Sequence, residues 1–469
     1  MASVHDIERP QGDAIPAFRS DEGHVTSAFV DAIDIALHDH DMASLKALAG
    51  DLHEADLADL LEALNSEDRA ALITLLGNEF DFTSLTEVDD AVREEILEDL
   101  SNTVIARNVR DLENDDAVFI LENLNEEDRE DVLSQLPLGE RLELQRGLEY
   151  QDDTVGRLMQ NDFIAVPPEW TVEQTIAYCQ NTQGLPEDFY EIFVIGPGNT
   201  LLGEATLGTL LRADRHLLMG MLMKEPKHAF NVNTDQEEAA RSFQRYNLIS
   251  APVTDKVGRL AGVLMIDDMV DVIEEEADAD IKALGGVNAD EEISDNVFRI
   301  AFGRFNWLFI NLLTAIAASA VIGLFQSSLQ KMVALAVLMP IVASQGGNAG
   351  TQTMTVAVRA LATRELRRSN AMRVVLREGA VGLFNGLAFA AIVGVIAGAW
   401  FQDVQLGLVI AFAMLANLLA AAFAGVLVPI AMDRMKVDPA VASGTFVTTV
   451  TDIVGFFAFL ATATLWFGL

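Results

Sequence analysis

The chain is poor in cysteine, histidine and positive charge. Cys179 is its single cysteine in 469 residues, so no disulfide framework can form within it. All seven histidines fall between His5 and His228, and residues 301–469 hold neither Cys nor His. The back of the chain thus lacks the ligands that soft and borderline metals prefer. Lys and Arg number 31 against 71 Asp and Glu, and a net charge of −40 repels the phosphates of nucleic acid. No Walker A segment, HExxH or GxSxG elbow is present, so no enzyme is expected. Residues 1–30 are polar and of mixed charge, without the pattern of a cleavable signal peptide.

What is present is divided sharply. Residues 301–469 carry 10 Lys+Arg and 6 Asp+Glu, a net of +4, which leaves 21 and 65, a net of −44, for residues 1–300. The apolar back contains five stretches long enough to cross roughly 30 Å of hydrocarbon: 305–330, 332–358, 379–402, 404–432 and 439–469. Four are free of charge and the fifth holds only Asp452. Arg299 and Arg304, the group Arg359, Arg364, Arg367, Arg368, Arg373 and Arg377, and the pair Arg434 and Lys436 lie on one side; Lys331 alone lies on the other. The basic side is cytosolic, which places the amino-terminal part inside and, after five crossings, the carboxyl terminus outside. Trp307, Trp400 and Trp466 sit near span ends, as interfacial anchors do. Gly382 with Gly386 and Gly394 with Gly398 have the spacing of close helix packing.

Two membrane features point beyond packing. Asp452, beside Thr448, Thr449 and Thr451, is a carboxylate at membrane depth with no basic residue in the spans to pair with it. A polar pathway explains it; a hydrogen bond to a neighbouring helix is the structural alternative. The second feature is the run Pro340 to Gln352, where Ser, Gln, Asn and three glycines interrupt an apolar helix. Irregular backbone at that depth is tolerated where it lines a cavity; a kinked packing helix is the alternative. A passage of carboxylate, hydroxyl, amide and carbonyl oxygen suits a hard cation that keeps its water, such as Mg²⁺. One carboxylate per chain is a thin site, and a two-fold dimer doubles it.

The acidic front reads as three parts. Residues 31–150 are helical and repeat after sixty residues, Leu52 to Arg69 returning as Leu112 to Arg129, the pattern of a superhelix of stacked repeats. Residues 151–275 alternate strands and helices and are also duplicated: Val194 to Gly203 matches Val253 to Gly262. Gly196-Pro197-Gly198 lacks the remainder of a dinucleotide fingerprint and receives no phosphate role. The run 267–280 is dense in acid, with Asp267, Asp271, Glu274 and Asp278 on one helical face. A solvated charged face is the ordinary explanation, but at this density the helix calls for bound cations.

Gln345-Gly346-Gly347-Asn348-Ala349-Gly350, Arg359 to Thr363, Asp438 to Ser443 and Asp452, with Asp235 to Glu238 and the 267–280 run, resemble the MgtE family of magnesium channels and transporters over nearly the whole chain. The resemblance implies a multi-domain chain: a disordered segment over 1–30, an acidic all-α superhelical N domain over 31–150, paired α/β CBS domains over 151–275, a connecting (plug) helix over 276–304 and a five-helix transmembrane domain over 305–469. It implies a homodimer in the bacterial inner (plasma) membrane, with Mg²⁺ both transported and regulatory. Asp452 matches the pore aspartate, with Gly347, Asn348, Thr448, Thr449 and Thr451 lining the pore. Asp438 matches a site near the pore mouth. Asp235, Glu237, Asp268, Asp271, Glu276 and Asp280, with Asp115 and Asp116 on the helical domain, match cytosolic Mg²⁺ sites. Asn247, Ala279 and Gly444-Thr445 depart from the family pattern. Some members bind ATP at the CBS pair, and no residue here decides that point. Transport of Co²⁺ or Mn²⁺, an anion channel, and a membrane-anchored sensor without transport are the competing readings.

Overall fold

Leucine and alanine at three- and four-residue spacing, between short polar capping residues, make the first part of the chain helical. The computed structural model describes residues 16–186, 189–288, 291, 297–367 and 369–468. Residues 1–15 of the expected disordered segment, most of 289–296 in the expected connecting helix, and Arg368 lie outside them. The chain divides into two units, Met1–Glu275 and Glu276–Leu469.

In the first unit, short helices run from Ser27–His38 to Leu138–Glu149. The boundary expected at residue 30 falls inside the first helix, which Thr26 caps by accepting the Phe29 N–H at 3.3 Å, and Phe29 is buried. The sixty-residue repeat is structural. Helices Glu54–Ala63 and Ser66–Leu76 recur as Asn114–Glu122 and Glu126–Gln135. Leu57, Leu60, Leu61, Leu72 and Ile73 answer Ala117, Ile120, Leu121, Val132 and Leu133, all in one core. Neither helix pair alone covers its apolar side, so stacking is what stabilises both.

Residues 151–275 form two three-stranded sheets of one topology. In the first, β1 (Ala165–Val166) pairs parallel with β2 (Glu191–Ile195), which pairs antiparallel with β3 (Leu201–Thr206). In the second, β4 (Phe230–Asn231), β5 (Ser250–Thr254) and β6 (Leu260–Met265) repeat the arrangement. The register breaks at the equivalent place in both, after Val194 and after Val253. Val194 faces Gly203 and Val253 faces Gly262. Both glycines are required by close approach. A Cβ on Gly203 would stand 2.6 Å from the Lys224 carbonyl oxygen, and one on Gly262 2.7 Å from that of Gln160. Here the two halves exchange backbone: Gln160 pairs with β6 and Lys224 with β3.

The second unit is dominated by five long apolar helices: Val297–Gly323, Val333–Ala362, Ala371–Phe401, Val404–Met435 and Pro439–Phe467. The first begins eight residues before the expected apolar stretch and ends at Gly323; residues up to Lys331 form a separate short helix, Gln326–Lys331. The fourth span is the most buried and the first the least. Small residues set the close approach of spans three and four. A Cβ on Gly382 would lie 2.5 Å from that of Ala422, and one on Gly394 3.0 Å from the Gly407 carbonyl oxygen. Packing therefore accounts for both glycine pairs.

Candidate functional site

Asp452 lies near the middle of the fifth span, thirteen residues from its start at Pro439, half-buried within the single chain. Its carboxylate has neither a hydrogen-bond nor an ion-pair partner among the described residues, so no neighbouring helix takes up its oxygens. Half-buried threonines precede it. Thr448 Oγ1 donates to the Gly444 carbonyl at 2.8 Å and Thr449 Oγ1 to that of Thr445 at 2.6 Å. Their protons are spent on their own helix, which leaves oxygen lone pairs to accept from water. Thr451 differs: it is fully buried, and its Cγ2 would be 3.4 Å from a Cβ on Gly350. It packs between spans five and two and lines no open surface of this chain.

The second span meets the fifth at Gly347, whose Cβ position lies 4.0 Å from Thr448 Cγ2. Its exposed residues include Ser344, Asn348, Thr351 and Thr355, spaced four, three and four apart. That spacing puts them on one helical face. Thr351 and Thr355 donate to the carbonyls of Gly347 and Thr351, each at 3.0 Å. A polar stripe open on a membrane helix needs water or another copy beside it.

In the first unit, Asp115 and Asp116 start the Asn114–Glu122 helix, and Asp268 lies in the first turn of the acidic helix Ile266–Leu284. Asp115 and Asp268 each have a buried oxygen without a hydrogen bond. Burial, then Glu113, pushes Asp115 up to about 7. Burial, then Asp115, pushes Asp116 up to about 8. Burial, then Asp115, pushes Asp268 up to about 10. Asp271 is raised by burial first and by Glu87 next. These carboxyls thus share one field that favours a proton or a cation. Arg157, on a segment whose Val155 and Met159 pack in the core of the second sheet, ties the helical domain to it, pairing with Glu122 at 2.6 Å and with Asp152 at 3.1 Å.

At the other end of the acidic helix, Ala283 is buried among Met354 and Val358 of span two, Ala424 of span four, and Ala440 and Val447 of span five. Between the sheet halves a cleft of about 230 Å³ is lined by Tyr190, Glu191, Glu204, Lys227, His228 and Ser250, among others. Ser250 Oγ donates to Glu191, and burial raises both Glu191 and Glu204.

The family model "MgtE: Divalent cation transporter" matches residues 339–462, the MgtE intracellular N domain model matches 52–153 and the CBS domain model 219–275. A magnesium transporter MgtE of Thermus thermophilus is 30% identical over 436 residues, 92% of this chain and 96% of its own. The chain belongs to the MgtE family. A magnesium transporter MgtE of Enterococcus faecalis is 34% identical over 311 residues, 66% of this chain and 68% of that one. A crystal structure of the cytosolic domain of the Mg²⁺ channel MgtE in complex with ATP is 27% identical, with a TM-score of 0.48, covering 52% of this chain and 99% of that chain.

As an MgtE protein the chain is a multi-pass membrane protein with an intracellular N domain, and it is a transporter rather than an enzyme. The expected MgtE site residues in and beside the acidic front are not all brought together. Asp115, Asp116 and Asp268 come together. Asp235 and Asp438 are helix N-caps, accepting from the N–H of Glu238 at 3.2 Å and of Ala440 at 2.8 Å. Glu237 pairs with Arg241 at 2.7 Å. Glu276 and Asp280 lie half-buried further along the acidic helix. The sequence reading did not single out Glu113, although it sits two and three residues before the central pair. Nor did it single out Ser344, Thr351 and Thr355, whose spacing was the available signal. Among the described residues, Asp34, His38 and Asp68 form the one set with metal-ligating atoms all within 4.8 Å. The Asp115 cluster is therefore more open than a direct chelate, which suits an ion retaining water.

Proposed function

We propose that this chain is a homodimeric, Mg²⁺-selective channel or transporter of the bacterial inner membrane, with its carboxyl terminus outside, closed by cytosolic Mg²⁺. The observation that carries the reading is Asp452: a carboxylate near the middle of a span, with its oxygens unengaged among the described residues. A carboxylate in that position is costly unless it meets water or a cation. Two copies on a two-fold axis would set two such groups, with Thr448, Thr449, Gly347 and Asn348, around one hydrated ion. The open Ser344–Thr355 stripe supports a second copy across that axis. Asp438, its cap bond made, would still add negative charge at the cytosolic mouth.

Closure would use the front of the chain. Asp268 belongs to a cluster that calls for positive charge, and in the last turn of the same helix Ala283 is buried among residues of spans two, four and five. High internal Mg²⁺ would neutralise the cluster and hold this helix in place; low Mg²⁺ would leave the acids in mutual repulsion and release it. Asp271, Glu276 and Asp280 would extend the ion-binding face along the same helix, with Asp235 and Glu237 secondary because they lie on a different helix, Gln236–Tyr246 and its cap. Binding one state better shifts the population toward it.

The cleft between the sheet halves offers little positive charge to the triphosphate of ATP, and a further cation, Arg212, belongs to an adjoining hollow that shares Thr206 and Gly208. Glu191 and Glu204 oppose the triphosphate, and Lys227 is the only lysine or arginine among the cleft's lining residues. The carboxylates suit ribose hydroxyls, so the cleft supports a nucleoside more than its phosphates.

The test is Mg²⁺ flux into liposomes containing the purified chain. Asp452→Ala should abolish flux while the dimer persists on cross-linking. Undiminished Mg²⁺ flux through that variant would refute the pore assignment.

A further inference from the structure

We propose that Asn417, in the fourth span, is a positioning residue for transport. It locks the second and fifth spans, which carry Asn348 and Asp452, at one fixed separation. The inference rests on the reading of those two residues as pathway groups.

Asn417 is fully buried beside the apolar cluster of Leu335, Val342, Met414 and Leu418. An amide in such surroundings costs free energy unless its groups are bonded. Its Nδ2 donates to the Val342 carbonyl of the second span at 2.8 Å, while its Oδ1 is buried without a partner. Hydrogen bonding alone therefore explains the residue poorly, and shape explains it better. A Cβ on Gly346 of the second span would collide with Nδ2, and one on Gly455 of the fifth span would lie 2.6 Å from it. One side chain from the fourth span fills notches in both neighbouring helices.

The notches adjoin the pathway residues. Gly346 is two residues before Asn348, and Gly455 is three after Asp452, each within one helical turn. A helix hydrogen-bonded over that turn passes a displacement at the notch directly to its pathway residue. Asn417 thus sets where two oxygen-bearing groups stand without touching the ion.

The test compares Asn417→Ala, Gly455→Ala and their combination, with Asp452→Ala as reference, by Mg²⁺ and Ca²⁺ flux in liposomes. Gly455→Ala should lower Mg²⁺ flux by about tenfold, because the methyl drives spans four and five apart. Asn417→Ala in that background should restore part of the loss, since the smaller side chain leaves room. Losses that simply multiply would overturn the proposal. Asn417→Ala alone should change the Mg²⁺:Ca²⁺ flux ratio several-fold in protein that still elutes as a folded dimer. An unchanged ratio also overturns it, and this single variant decides the matter if Gly455→Ala does not fold. Normal flux through Asp452→Ala would instead locate the failure in the pathway reading.

Discussion

Asp268→Asn should make the contact between the helical domain and the acidic helix more stable in the absence of Mg²⁺, and should remove most of the stabilisation that Mg²⁺ gives. The ordinary carboxyl value is 3.8, and burial and acidic neighbours push Asp268 up to about 10. Between those values the folded state holds more protons than the unfolded state, so stability falls as pH rises through that window. The groups responsible are Glu113, Asp115, Asp116 and Asp267 around Asp268, with Glu54 and Glu87 acting on Asp116. Each pKa unit is worth about 1.4 kcal/mol, so at pH 8 the full penalty on Asp268 would approach 6 kcal/mol. Water entry and local opening reduce what a mutation recovers to about 1–3 kcal/mol. The amide can also donate toward neighbouring carboxylates, among which Asp115 Oδ1 lacks a bond. In hydrogen exchange on the full chain in chelator at pH 8, protection across Asn114–Glu122 should rise by about 5- to 150-fold in the variant. Wild-type protection should fall from pH 6 to pH 8.5 and recover in Mg²⁺. Faster exchange in the variant, or undiminished protection of it by Mg²⁺, would show that Asp268 is a structural acid and not part of an ion-dependent contact.

Two further outcomes follow from the same geometry. Neutralising Asp268, Asp271 and Glu276 together should leave Mg²⁺ flux that high internal Mg²⁺ no longer suppresses; flux in liposomes loaded with graded Mg²⁺ checks this, and intact inhibition counts against the feedback reading. Gly203→Val and Gly262→Val should each cost about 1–3 kcal/mol, because a Cβ at either position meets a backbone carbonyl oxygen that cannot swing away. Limited proteolysis of the full chain should show both CBS halves cut faster, with Gly208→Ala, which meets nothing within 4 Å, as the unaffected control.

Much of the architecture was legible because its signals are periodic or duplicated. Five apolar stretches marked the spans, and a sixty-residue repeat located buried pairs such as Leu61 and Leu121. The match of Val194–Gly203 to Val253–Gly262 anticipated one strand pairing twice over. The exchange of Gln160 and Lys224 between halves was not legible, because each pairs with a strand in the other repeat and neither lies in a strand pattern. Thr451 and Asn417 mark the limit at the site. Thr448, Thr449 and Thr451 are equivalent in composition, and only the packing of Gly350 separates the last from the first two. Asn417 is one amide in an apolar span, and its partners Gly346 and Gly455 lie 71 and 38 residues away in the chain.

With Asp452 proposed as the conducting site and the Asp115 cluster as the sensing site, the contrast between one unpaired carboxylate in the spans and a crowded acidic front would follow from opposite demands on the two sites. A conducting site must bind well enough to admit an ion and weakly enough to release it. Gathering more acids around Asp452 would deepen the well and slow release, so hydroxyls and carbonyls that hold the ion's water serve better. A sensing site has no release rate to protect. It gains from many acids, because their repulsion in the empty state is what the ion relieves, and the size of that relief sets how far binding shifts the helix equilibrium. Crowding alone would favour tight direct chelation, but the Asp115, Asp116 and Asp268 oxygens are not gathered within direct ligand distance of one another. An ion there would act through its water shell on several carboxylates at once. Such binding is weaker, and a weak site responds at the high free concentration at which the most abundant cellular divalent cation needs to be limited.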